Sequence, residues 1–317
     1  MKTWRKLAAA GLTVLFSVAS APAAAVPDRL TPSDAEMVVQ INVRQLLQTP
    51  LVKKHALDSL KALLEHSTET HQLLRAAGLN LFQDIDTMAL SLSGHPLSNG
   101  KLLVVVRGCF APDKVRTAAD DYAQKHPNRL KRFQDDGLLM WEIHNENKTL
   151  YAAFADSKTL VMTAAQKDTV AAVRRAGQPP QRPSAAMQAA LAHLKGSENV
   201  WLALAATDEL KQLLKGDDMS KDFAAALQAV TGALELNDDA QVRLMVHTNS
   251  AEAATQIKSK LEELMPLLAF LGAGKDTNSQ IVKELIDSIQ LKTEKNAVCL
   301  RLHITDAQID KARKKDR

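Results

Sequence analysis

Residues 101–107 read Lys101-Leu102-Leu103-Val104-Val105-Val106-Arg107, and residues 112–122 read Pro112-Asp113-Lys114-Val115-Arg116-Thr117-Ala118-Ala119-Asp120-Asp121-Tyr122. The first run is apolar on both parities, so it reads as a strand covered on both faces and central in its sheet. In the second, Pro112 opens a helix whose Val115, Ala118, Ala119 and Tyr122 form a stripe at i, i+3, i+4, i+7, expected to pack on that central strand. Leu244-Met245-Val246-His247, ahead of a long helix from Ser250, repeats the arrangement further along.

Upstream, the pattern predicts a strand over 37–43, helical character broken at Pro50, a helix with Leu57, Leu60, Leu63 and Leu64 on one face, and a short helix ended by Gly78 in the left-handed conformation. A strand over 87–93 joins 101–107 through a turn at 95–100. Downstream come strands over 130–134, 138–144, 149–155 and 159–163, the first two linked by Asp136-Gly137, then a helix over 167–176. Gly177-Gln178-Pro179-Pro180-Gln181-Arg182-Pro183 cannot continue a helix or a central strand and reads as a linker. Beyond it the pattern predicts a strand over 200–206, helices from Thr207 and Ser220, strands over 233–236 and 241–247, helices from Ser250 and Ser279, strands over 289–293 and 297–304, and a helix from Asp306.

The two halves echo each other in order and in detail. Val43-Arg44-Gln45-Leu46-Leu47 resembles Leu210-Lys211-Gln212-Leu213-Leu214, and both halves finish with strands and a helix. The expectation is an α+β fold of two degenerate repeats, residues 26–176 and 184–317 about the linker 177–183. Each would be an antiparallel sheet with helices on one face, related to split βαβ and ferredoxin-like folds, with an extra hairpin in the first.

Residues 1–6 carry Lys2, Arg5 and Lys6 with no acidic residue, residues 7–18 are apolar, and Ala23-Ala24-Ala25 follows. This is the pattern of a secretory signal peptide, here 1–25, with a cut expected after Ala25; the apolar run falls short of the ~20 residues a spanning helix needs. Of the formal charge of +4, those three cations supply +3, which leaves about +1 for the mature chain (4 − 3). Such a balance supplies no broad basic field for nucleic acid. With 4% aromatic residues, the chain also lacks the side chains for a base- or sugar-stacking surface. In an oxidising compartment Cys109 and Cys299 could form one disulfide; two separate half-buried thiols is the other reading.

Local motifs for chemistry fail on inspection. Gly272-Ala273-Gly274-Lys275-Asp276-Thr277 lacks the first glycine and the Ser/Thr of a phosphate loop. The nine histidines show no metal-ligand spacing, with His66 and His71 five apart. Leu90-Ser91-Leu92-Ser93-Gly94 lacks the first glycine of a nucleophile elbow, and the acidic doublets at 120–121, 135–136, 217–218 and 238–239 fall mostly in expected turns. No cofactor or metal is expected.

One pattern does suggest a site. Val242, Leu244 and Val246 with Val298, Leu300, Leu302 and Ile304 point to one side of their strands, which leaves Arg243, His247, Arg301, His303 and Lys292 on the other. If helices cover the apolar side alone, these five form a basic open face for an acidic protein, an envelope polymer or another copy of the chain; an ordinary wet sheet face is the plainer reading.

Asp34-Ala35-Glu36-Met37-Val38-Val39-Gln40-Ile41-Asn42-Val43, Leu51-Val52-Lys53-Lys54, Leu81-Phe82-Gln83-Asp84-Ile85-Asp86, Val106-Arg107-Gly108 with Phe110, and Phe154-Ala155-Asp156 before Thr159-Leu160 together resemble a family of exported proteins of unknown function abundant in planctomycete bacteria. The resemblance implies export and fold unity, and carries over no activity, cofactor or site residue. The expected function is therefore a non-enzymatic binding or interaction module of the periplasm or cell envelope, or of the extracellular space, with no membrane span after leader removal. The alternative is a hydrolase with a cleft between the repeats, and a third reading is ligand carriage in an apolar cavity.

Overall fold

Met37, Val39 and Ile41 alternate with buried Val38, and that strand sits between partners from both halves of the chain. The structure, a computed structural model, describes residues 24–66, 74–94, 100–145, 148–213, 218–272, 284–286 and 288–313. The first half contains β1 (Ala35–Ile41), α1 (Val43–Gln48), α2 (Pro50–His55), α3 (Leu57–His66), α4 (Leu81–Asp84), β2 (Ile85–Ser93), β3 (Lys101–Gly108), α5 (Pro112–Lys125), β4 (Leu130–Asp135), β5 (Leu138–Asn145), β6 (Lys148–Asp156), β7 (Thr159–Thr163) and α6 (Gln166–Ala176). The second contains α7 (Ala185–Leu191), β8 (Val200–Ala205), α8 (Asp208–Leu213), α9 (Asp218–Ala226), β9 (Leu227–Leu236), β10 (Ala240–Thr248), α10 (Ala251–Gly272), β11 (Gln290–Glu294), β12 (Ala297–Ile304) and α11 (Asp306–Arg313).

The twelve described strands join one antiparallel sheet in the order β11-β12-β10-β9-β8-β1-β2-β3-β7-β6-β5-β4. The seam between the halves is the β1–β8 ladder, with Met37 opposite Leu204, Val39 opposite Leu202 and Ile41 opposite Val200. Residues 177–183 run as irregular chain, as their prolines dictate. The β4–β5 hairpin turns on Asp136 and Gly137, both at positive φ (51° and 76°), the backbone that a two-residue I′ turn requires. Edge strand β4 exposes Lys131 and Arg132; the other edge, β11, exposes Lys292 and Glu294.

Helices cover both faces, which corrects the one-faced expectation. Met140 and Ala153 pack with Ala172 of α6, whereas their neighbours Trp141 and Phe154 pack with Ala119 of α5. In the second half, Trp201, Ala229 and Ala233 pack against Met187, Ala190 and Leu191 of α7, and Val246 and Val298 against Ala254 and Ile257 of α10. Adjacent residues of a strand point to opposite faces, so α6 and α7 lie on one side and α5 and α10 on the other. Helix α5 therefore meets β4, β5 and β6 rather than the central strand β3, because Trp141 and Phe154 offer its stripe a larger aromatic surface, with ring centroids 6.0 Å apart.

Two of the departures from the sequence pattern have a tertiary cause. Strand β9 begins at Leu227, inside a stretch read as helix; Ala-rich residues there take strand geometry because they lie between β8 and β10. Helix α7 was not foreseen. Its Ser184 hydroxyl accepts from the Met187 N–H at 3.2 Å, and Met187 and Ala190 are fully buried. Residues 1–23, which hold most of the expected leader, residues 95–99 of the expected turn, most of the helix expected from Ser279, and residues 273–277 of the glycine loop lie outside the described residues.

Candidate functional site

On the α6/α7 side of the sheet, Arg243 of β10 stands directly opposite Arg301 of β12, and Gln241 opposite His303. These residues, with Lys195 from the turn after α7 and Glu235 of β9, line a groove of about 430 Å³. Period-2 alternation places Arg243, Arg301 and His303 there, and Lys292 and His247 share the same face through their pairs with Cys299 and Ala297. Lys292 is exposed on the edge strand outside the groove.

His247 departs from the open-face expectation, being only 6% exposed. Its ring stacks on His193 with centroids 3.9 Å apart, and its Nε2 bonds Thr231 Oγ1 at 3.0 Å. Burial, with the His193 charge adding to it, pushes its pKa down to about 4, so the ring is neutral near pH 7. It is a packed histidine at one end of the face, not a groove cation.

Each of the other basic groove side chains has an acidic neighbour. Lys195 Nζ lies 3.0 Å from Glu235, His303 Nε2 3.0 Å from Asp239, and Arg301 pairs with Glu294. Arg243 differs. Its Nη2 is 3.5 Å from Glu198 Oε1 and has no hydrogen-bond partner, and Glu198, 1% exposed, has an unpartnered Oε2. The other oxygen, Oε1, accepts from the Lys195 N–H at 2.9 Å, which locks the carboxylate in place. That Nη2 is buried against the Glu198 carboxylate, so what Arg243 brings to the groove is a fixed positive charge opposite Arg301, of the sign that suits a carboxylate or phosphate. Lys195 and Glu198 were not legible in the sequence; they come from the irregular 192–199 segment, where no periodicity marks an inward side chain.

The two halves differ in where their last described helix packs. In the first half, α6 follows β7 and folds back over β6, β7 and β3. In the second, α11 follows β12 but packs on α2, with none of its residues buried. It is held there by Lys54 Nζ, 2.5 Å from Asp306 and 2.9 Å from Asp310, and by His55 Nε2, 2.6 Å from Asp306. His55, Asp306 and Asp310 offer ligand atoms within 4.8 Å of one another, the described cluster with metal-binding composition. The Lys54 ammonium already bridges both carboxylates and holds the Asp306 carboxyl below the usual range, so a metal ion would first have to displace it. We read the cluster as an ion-pair clasp.

Cys109 and Cys299 are both free thiols, the first exposed and the second buried. They follow β3 and sit in β12, six strand steps apart. At ~4.8 Å per step that is roughly 29 Å, far beyond the ~7 Å limit for a bridge. Near the linker, a second depression of about 430 Å³ holds Asp34, Ser93, Lys101, Asp168 and Arg175. There Ser93 Oγ donates to Asp34 at 3.2 Å, and no histidine is among the described residues that line the depression.

No helix among the described residues is long and apolar enough to cross a membrane. No family model matches the chain, and no curated protein matches it. Among solved structures, crystal form I of TP0453 aligns over 93% of this chain and 98% of its own, at 9% identity and a TM-score of 0.45. Likeness at that level supports no conclusion about fold or role.

Proposed function

We propose that the chain is an exported, non-enzymatic binding module of the periplasm or cell envelope that grips an anionic partner, a carboxylate- or phosphate-bearing protein segment or polymer, in the groove between Arg243, Arg301, Lys195 and His303. The observation that supports the reading is the convergence of the Arg243, Arg301 and Lys195 side chains on one groove, with Arg243 directly opposite Arg301. Like charges held opposite each other on neighbouring strands repel, and an incoming anion between them would offset that repulsion.

We further infer that the halves are degenerate copies of one unit, related to split βαβ folds. Counting outward from the seam, the first runs β1-β2-β3-β7-β6 and the second β8-β9-β10-β12-β11, with hairpin β4–β5 added to the first. Helices α6 and α11 occupy equivalent places in the order. On this reading the groove is the surface that α11 vacated when Lys54 and His55 captured it, and the partner takes the place that α6 fills in the other copy.

The test is co-purification of the tagged mature protein and of its Arg243→Glu/Arg301→Glu variant from envelope fractions, with mass spectrometry and polymer analysis of what is retained. Charge reversal should lower recovery of the partner at least tenfold while leaving the circular dichroism spectrum unchanged. Equal recovery by a folded variant would remove the groove from consideration.

A further inference from the structure

Ala25 is 4% exposed and belongs to the core cluster of Met187, Leu191, Leu194 and Trp201. Its N–H donates to the Leu194 carbonyl at 3.1 Å. The turn after α7 is shaped around it: Gly196 holds φ +78°, and a methyl group there would stand 3.1 Å from Ala25 Cα. The next residues cross to the other half. Asp28 pairs with Arg107, with Nη2 donating to Oδ1 at 3.0 Å, and Leu30, 1% exposed, lies in the cluster beneath α6, its carbonyl accepting from Arg175 Nε at 3.1 Å. Residues 25–30 thus tie the core under α7 to the core under α6, and Ala25 is the anchor at one end.

A leader cut after Ala25 would delete that anchor. Cleavage after Ala24 would put a charged amine on buried Ala25 and present Pro22 at a position that favours a small residue. A cut after Ala23 uses Ala21-Pro22-Ala23 as the small-x-small signal and leaves the new amine on exposed Ala24. We propose that a leader peptidase of the export machinery hydrolyses the Ala23–Ala24 bond: one water is consumed, Ala23 leaves with the carboxylate, and Ala24 becomes the protonated amino terminus. The proposal rests on the export reading, and processing at this bond supplies the mature chain with the residue that closes the core around Gly196.

Intact-mass measurement and amino-terminal sequencing of the full chain, expressed with a carboxyl-terminal tag and recovered from the periplasm, test it. The expected first residue is Ala24. A species beginning at Val26 overturns the position of the cut, whereas an unprocessed species starting at Met1 in the cytoplasm overturns export itself. Independently, protein made to begin at Ala24 should melt about 3–6 °C above protein made to begin at Val26, the shift that one buried methyl and one hydrogen bond produce in a chain of this size. Gly196→Ala should lower the melting temperature more in the Ala24 form than in the Val26 form. Equal melting of the two forms would show that Ala25 anchors nothing.

Discussion

Val38 of β1 stands directly across from Ala203 of β8, both fully buried, so the first strand of the chain is zipped to a strand that lies beyond the proline-rich linker. The two halves share a ladder and a core at that point, and neither can lose its sheet without exposing the other's edge.

Cooperative unfolding of both halves follows. Beyond Trp4, the chain has one tryptophan in each half, Trp141 under α5 and Trp201 under α7, 4% and 1% exposed. Urea unfolding of Trp141→Phe and Trp201→Phe, each reporting the other half by fluorescence, should give transitions of the same shape that coincide once each variant's own loss of stability is allowed for. Separate midpoints with a plateau between them would mean that the seam does not couple the halves.

Acid should weaken the fold through His247. Its folded pKa of about 4 lies below the ordinary 6.5, so the unfolded chain binds the proton more readily between those values. The stabilisation is complete above pH 6.5 and is lost as the pH falls toward 4, by roughly 3 kcal/mol at full extent. The groups facing the ring are His193, itself lowered by burial and by Lys295, and the Thr231 hydroxyl. Urea midpoints at pH 7.5 and 4.5 should converge in His247→Gln relative to the parent protein.

Glu198→Gln separates two roles of that buried side chain. The amide oxygen can still accept from the Lys195 N–H, but the charge facing Arg243 is gone. Stability should fall by about 1–3 kcal/mol, the cost of leaving a charge-assisted contact unmade. Affinity for tripolyphosphate, measured by calorimetry, should rise because the Arg243 donors no longer have a resident anion. A weaker affinity would assign the recognition to other cations.

The clasp on α11 should release on neutralisation. Asp306→Asn/Asp310→Asn removes both partners of Lys54, and amide exchange across residues 306–313 should accelerate at least tenfold relative to β12. In the parent protein the Asp306 carboxyl is held low chiefly by the hydrogen bond from Lys54, then by that from His55. Docking is therefore in full force above the unfolded carboxylate value of ~4 and is lost only as the pH falls through the lower folded value. Exchange at pH 5 and pH 3 follows this directly.

Much of the sheet was legible because its strands obey period 2. Arg243, Arg301 and His303 could be assigned to one face from alternation alone, and Asp136-Gly137 marked its hairpin. The two-sided covering was also written in the chain, since Met140-Trp141 and Ala153-Phe154 are apolar on both parities, a pattern that demands a layer on each side. What sequence could not reveal was non-local. Seven residues after Ser184 make a helix because Met187 and Ala190 find a core under β8, and Leu227 starts a strand because its neighbours are strands. Arg243 gains its unusual partner from Glu198, an isolated acid in an aperiodic stretch 45 positions away (243 − 198).

An open ribbon of strands ends in two rows of unsatisfied amides and carbonyls, and here the rows are guarded by ions: Lys131 and Arg132 along one border, Lys292 and Glu294 along the other. Stacking another molecule onto either border would strip water from those ions, a penalty that discourages lateral growth into fibres. Contact with other molecules is thus left to the broad faces of the ribbon.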